Sequence, residues 1–169
     1  MEDLLSRISR QEIDDVLFHA LMAVYRFEWD KIKRFGLGYM EILALQILRR
    51  RSPLRMRALV NDLGLPFSSA TRLFSRLESA GYVNRVYAQD DRRGVHIHIT
   101  PAGDDIVRKI EAHSFEVLRA NTRKMDAALI DHFIETARHM ETLLAVRNDV
   151  LKNIDPSVSS ENDTVEVES

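Results

Sequence analysis

Six polar side chains share one side of a helical pattern between Phe67 and Ala80: Ser68, Ser69, Thr71, Arg72, Ser75 and Arg76. The opposite side carries Ala70, Leu73, Phe74 and Leu77 at i, i+3, i+4 and i+7, the spacing of a core-facing stripe. Short hydroxyls let a helix approach a groove closely, and a guanidinium fork can grip guanine O6 and N7 or a phosphate. This is chemistry for reading duplex DNA, although a solvated helix face can have the same composition. A second constellation is the loop Ala88-Gln89-Asp90-Asp91-Arg92-Arg93-Gly94. Its acids can brace the loop while an arginine extends into a narrow minor groove; Arg93 is the candidate, with Asp91 and Arg92 beside it.

The elements that must position these groups follow from periodicity. Met56, Leu59, Val60 and Leu63 mark a short helix that stops at Gly64, and the turn Gly64-Leu65-Pro66 leads into the helix bearing Arg72. After Gly81 the period changes to two. Val95, Ile97 and Ile99 alternate with His96, His98 and Thr100, and Tyr82 to Tyr87 supplies an antiparallel partner strand. Two helices, a turn and a β-hairpin form a winged helix-turn-helix, expected over residues 37–100.

Long helices flank that unit. Ile13 to Phe35 carries two apolar lines, one through Ile13, Val16, Leu17, Ala20, Leu21 and Val24, the other through Phe18, Met22, Tyr25 and Trp29. A small monomer seldom buries both, so the arrangement suggests burial between subunits or a wall of a small-molecule cavity. After the break at Phe35-Gly36-Leu37-Gly38, Tyr39 to Arg51 forms a second helix, closed by Arg49-Arg50-Arg51. Those cations suit the helix macrodipole or a phosphate contact. Thr100-Pro101 reads as N-cap and first residue of a helix to about Lys124, and a further helix runs from Asp126 to about Lys152 with Leu129, Phe133, Ala137, Met140 and Leu144 as its stripe. Residues 1–36 and 101–152 have no compact domain of their own and are expected to interlock with a second copy. The segment 153–169 is polar and acidic, with Glu161, Asp163, Glu166 and Glu168, and is expected to be disordered. The fold class is mainly α with a small β-hairpin wing.

A net charge of -2 over 169 residues excludes a uniformly basic nucleic-acid binder, so any DNA footprint is local. From Arg49 to Arg93 ten arginines face four acids, a net of +6 that leaves -8 for the remainder. The absence of cysteine excludes thiol redox control and thiolate metal sites within one chain. His96 and His98 share a strand face, as a zinc pair can, but no further ligand stands at a metal-like spacing. His19, His113, His132 and His139 stand singly. No nucleophile elbow, phosphate-binding glycine loop or metal-ligand cluster supports an enzyme, and no cofactor is called for. Without a signal-peptide core or a membrane-length apolar run, the expected compartment is the cytoplasm, with no membrane partner.

Leu77-Glu78-Ser79-Ala80-Gly81-Tyr82-Val83-Asn84-Arg85, then Asp91-Arg92-Arg93-Gly94 and Ile99-Thr100-Pro101-Ala102-Gly103, resemble the MarR family of transcriptional regulators. The likeness in helix order covers roughly Ile13 to Val150. Its specific part is Leu54 to Gly103, where Asp91-x-Arg93 matches the family's wing motif and Thr100-x-x-Gly103 the start of its fifth helix. The resemblance implies a homodimeric, DNA-binding repressor that reads pseudo-palindromic double-stranded operators. Ser68, Ser69, Thr71 and Arg72 would lie on the recognition helix, and Arg93 would reach the minor groove. It also implies a small organic effector, aromatic or carboxylate. Phe18, Met22, Tyr25, Trp29 and Tyr39 are the candidate walls of its cavity and Arg26 the candidate charge. The chain departs from the family at Pro66-Phe67, where the usual N-cap hydroxyl is missing, and at Gly38, which replaces a frequent hydroxyl. A protein-interaction module and a metal-responsive regulator are the alternative functions.

Overall fold

The computed structural model describes residues 7–87 and 94–145. Its elements are α1 (Arg10–Phe35), α2 (Tyr39–Arg51), β1 (Leu54–Arg55), α3 (Met56–Leu63), α4 (Phe67–Ser79), β2 (Val83–Tyr87), β3 (Val95–Ile99), α5 (Pro101–Thr122) and α6 (Ala127–Leu143). The described residues fall into two compact units divided between Leu118 and Arg119.

In the first unit, the expected stripes close on one core. Ile42, Leu45 and Leu48 from α2, Leu59 from α3 and Phe74 and Leu77 from α4 meet Val83 and Ile97 of the sheet and Val107 and Ile110 of α5. All are essentially inaccessible to water. β2 and β3 pair antiparallel from Val83 opposite Ile99 to Tyr87 opposite Val95. The expected hairpin has a third strand that the sequence reading lacks: β1 pairs with β3, Leu54 opposite Ile97 and Arg55 opposite His96. Two residues are too few to show alternation, so only the pairing reveals them.

Helix ends are set by local chemistry. Gly36 and Gly64 adopt positive φ, 67° and 60°, and end α1 and α3 as left-handed caps. Gly38 offers no side chain to cap α2, but Glu41 reaches back and accepts a hydrogen bond from the Gly38 N–H at 2.8 Å. α4 starts at Phe67 behind Pro66 with no side-chain cap, as the missing hydroxyl implies. Thr100 caps α5: its Oγ1 accepts from the Gly103 N–H at 3.0 Å and donates to the Gly81 carbonyl at 2.7 Å.

α1 is 26 residues long and buries one of them, Lys31, 4% exposed beside Glu28 at 2.5 Å and over the Phe27 ring. Val16, Leu17, Phe18, Leu21 and Val24 remain exposed along it. In the second unit α6, capped by Asp126, buries no residue and exposes Leu129, Phe133, Ile134 and Leu143. No helix among the described residues is long and apolar enough to cross a membrane.

Candidate nucleic-acid interface

Tertiary ion pairs divide the arginines of the basic segment into two groups. Arg49 joins α2 to α5 through Asp104, at 2.9 Å, and Glu111. The Asp104 hydrogen bond raises the Arg49 pKa above its ordinary value; burial opposes the shift less strongly and Glu111 adds to it. Arg51 holds Asp62 at 2.5 Å, and Arg50 donates to the Gln46 carbonyl within its own helix. Arg49 is thereby committed to the fold, whereas Arg50 and Arg51 each give it a single hydrogen bond among the described residues.

Arg85 also turns inward. From β2, its Nη2 donates to Ser75 Oγ at 2.8 Å and to the Thr71 carbonyl at 3.1 Å, and Glu78 flanks it at 3.4 Å. It thereby straps the sheet to α4. In the sequence Arg85 reads as a cation of the patch and as the end of the segment that resembles the MarR family, and no local pattern signals its bond across ten residues to Ser75.

On α4 the six expected contact residues separate by environment. Arg72 and Ser68 are exposed, and neither side chain has a hydrogen-bond or ion-pair partner among the described residues. Ser69 is half-buried. Thr71 donates its hydroxyl to the Phe67 carbonyl and Ser75 to the Thr71 carbonyl, each at 2.9 Å, so both hydroxyl protons are spent within the helix. Arg76 donates from Nε to Glu41 Oε1 at 2.7 Å. An open cavity of about 270 Å³ lies between Arg72 and Arg76, floored by Met40, Leu65 and Leu73. Arg55 and Arg57, absent from the expected contacts, are also exposed without a carboxylate partner among the described residues. Their lone signal in the sequence is their charge. Asp91, Arg92 and Arg93 lie outside the described residues.

The effector candidates are only partly brought together. A half-open groove of about 460 Å³ is lined by Leu21, Val24, Tyr25, Glu28, Trp29, Ile32 and Tyr39. Tyr25 and Trp29 stack at 6.1 Å between ring centres, and Lys33 covers the Trp29 ring at 5.7 Å. Phe18, Met22 and Arg26 are not in this lining. Its carboxylate is Glu28, already bonded to Lys31. No group of three or more His, Cys, Asp or Glu among the described residues is placed to hold a metal ion.

Residues 39–95, from the start of α2 to the first residue of β3, match the MarR family. The HTH-type transcriptional regulator MgrA of Staphylococcus aureus is 29% identical over 111 residues, 65% of this chain and 76% of that protein. The fold is shared with a MarR family protein from Bacillus stearothermophilus, at a TM-score of 0.71 and 20% identity over 79% of this chain and 94% of the other. It is shared too with NadR, solved in complex with 4-hydroxyphenylacetate, at a TM-score of 0.59 and 20% identity over 76% of this chain and 91% of that one. The segment that matches the MarR family spans both helices of the helix-turn-helix, the sequence relatives are HTH-type transcriptional regulators, and the chain is thus similar to the MarR family of DNA-binding, winged helix-turn-helix transcriptional regulators.

Proposed function

We propose that the protein is a homodimeric repressor that binds pseudo-palindromic operator DNA, with α4 in the major groove and the 88–94 loop reaching the adjacent minor groove. One observation carries this reading. In a segment where Arg49, Arg51, Arg76 and Arg85 are tied to acids of the fold, Arg72 stands on the exposed face of α4 with its guanidinium unengaged among the described residues. Arg72 thereby keeps its N–H donors available to a ligand on the polar face of α4. Ser68 and Ser69 complete the approach surface, and Arg93, with Asp91 and Arg92, belongs to the wing contact.

Dimerisation is assigned to residues 1–36 and 101–152, and supported by apolar side chains exposed along α1 and, separately, along α6. Two subunits would set their recognition helices about one DNA turn apart, roughly 34 Å.

Fluorescence anisotropy with DNA from upstream of the protein's own gene tests the DNA contacts. Arg72→Ala should weaken operator binding by about 1–3 kcal/mol and narrow the preference over a scrambled duplex. Arg93→Ala should weaken it as well. Unchanged discrimination in Arg72→Ala would remove that residue from base reading.

For the effector, the aromatic walls at Tyr25, Trp29 and Tyr39 support an aromatic ligand, and NadR supplies 4-hydroxyphenylacetate as the probe. Arg26 is outside the lining, so the expected carboxylate contact has no support there. Trp29 is the sole tryptophan of the chain, which makes its emission a direct report on the groove. Titration should quench Trp29 and lower operator affinity together. If a broad set of phenols and aromatic acids changes neither, the groove has no effector role.

A further inference from the structure

Glu41 holds two elements with the two oxygens of one carboxylate. Oε2 accepts from the Gly38 N–H at 2.8 Å, closing the first turn of α2, and Oε1 accepts from Arg76 Nε at 2.7 Å, across 35 residues of sequence. The Glu41 side chain is 13% exposed, whereas Arg76 is 64% exposed. A carboxylate fixed by a backbone amide and largely shielded from water is a rigid anchor. The arginine it holds is the solvent-facing member of the pair.

The geometry of the bond decides what this anchor does. Arg76 is gripped through Nε alone, and neither Nη group is engaged among the described residues. An arginine held from the Nε side presents the outer edge of its guanidinium, the two-pronged edge that matches a phosphate or guanine O6 and N7. Arg76 follows Arg72 by one helical turn, so both forks stand on the same face of α4 with the open cavity between them. Holding one fork in advance removes part of the rotamer entropy that DNA binding otherwise costs.

We propose that Glu41 is a positioning residue for DNA recognition: it presents Arg76 to the operator and ties the orientation of that fork to the first turn of α2. The proposal rests on the reading of α4 as the recognition helix. It also gives the groove a physical link to that helix. Tyr39 lines the groove and lies between Gly38 and Glu41, so a ligand that displaces the start of α2 displaces the Arg76 anchor too.

The sign of one substitution separates positioning from simple charge effects. Removing an acid near DNA should raise affinity if Glu41 merely neutralises or withholds Arg76. Positioning predicts the reverse: Glu41→Ala lowers operator affinity by about five- to tenfold despite the lost negative charge, Arg76→Gln lowers it by about tenfold, and the double variant is no weaker than Arg76→Gln alone. Anisotropy of all three, with melting temperatures recorded in parallel, forms the test. Should Glu41→Ala fail to fold, Glu41→Gln carries it, since it removes the same charge but keeps an oxygen for Arg76: a loss of about threefold or less supports positioning, and a gain overturns it. Additive losses in the double variant also overturn it. Arg72→Ala distinguishes the two levels of failure. If wild type prefers the operator and Arg72→Ala weakens it while Glu41 and Arg76 act independently, the anchor is wrong and α4 still reads DNA. If wild type shows no operator preference, the recognition reading itself has failed.

Discussion

Gly103→Ala should lower the melting temperature by about 6–12 °C, the equivalent of about 3 kcal/mol in a chain of this size. The direction is opposite to helix propensity, since alanine inside a helix is ordinarily favoured over glycine by about 1 kcal/mol. Sterics dominate because a Cβ at position 103 would lie 2.2 Å from the Tyr82 carbonyl oxygen and 2.8 Å from Ile99 Cγ1. No rotamer change relieves a clash with backbone. The oxygen itself is committed, accepting the Thr100 N–H at 3.0 Å, and Thr100 in turn caps α5 and holds Gly81. One added methyl group therefore pushes the start of α5 away from the strand that leads into the wing. Calorimetry or a thermal melt followed by circular dichroism reads the effect, and a melting point at or above the wild-type value would contradict the close approach.

Phe133→Asp should convert the protein to a monomer at micromolar concentration and abolish high-affinity operator binding. Phe133 is 62% exposed on a helix that buries no residue. A 17-residue helix seldom holds its shape in water unless an apolar face is covered, and α6 has Leu129, Ile134 and Leu143 beside Phe133 to cover. Burying such a side chain stabilises association by about 1.5–3 kcal/mol, and a twofold interface counts every substitution twice. Loss of both rings, with two carboxylates in their place, amounts to about 5 kcal/mol or more, three to four powers of ten in the dimer dissociation constant. Sedimentation velocity settles it; an unchanged dimer would place Phe133 outside the interface.

The parts of the fold that were legible in the sequence are those written in local periodicity. The stripe Ala70, Leu73, Phe74 and Leu77 is buried, the strand Val95 to Ile99 pairs as its alternation implies, and Thr100 caps the helix that Pro101 opens. What escaped depends on contacts between distant residues. β1 is a strand only because β3 lies beside it. The capping of α2 is written locally too, since a glutamate three residues after Gly38 is half of a capping box even where no hydroxyl stands at the N-cap.

The candidate sites show the same division. Charge counting found the basic segment, yet the roles of its arginines are set by acids 55 and 62 residues away for Arg49 and 35 residues away for Arg76. On α1, both apolar lines have helical spacing, and spacing alone does not say which faces the rest of the unit. The groove takes Leu21 and Val24 from one line and Tyr25 and Trp29 from the other, leaving Phe18 and Met22 aside.

The measurement that bears most directly on the account is the salt dependence of wild-type binding to upstream DNA against a scrambled duplex of equal length. A dimer that neutralises about six to ten phosphates should lose about three to five powers of ten in affinity between 50 and 200 mM salt, while keeping a preference for the operator of about a thousandfold or more. Equal, weak binding to both duplexes at every salt concentration would contradict an operator-reading regulator.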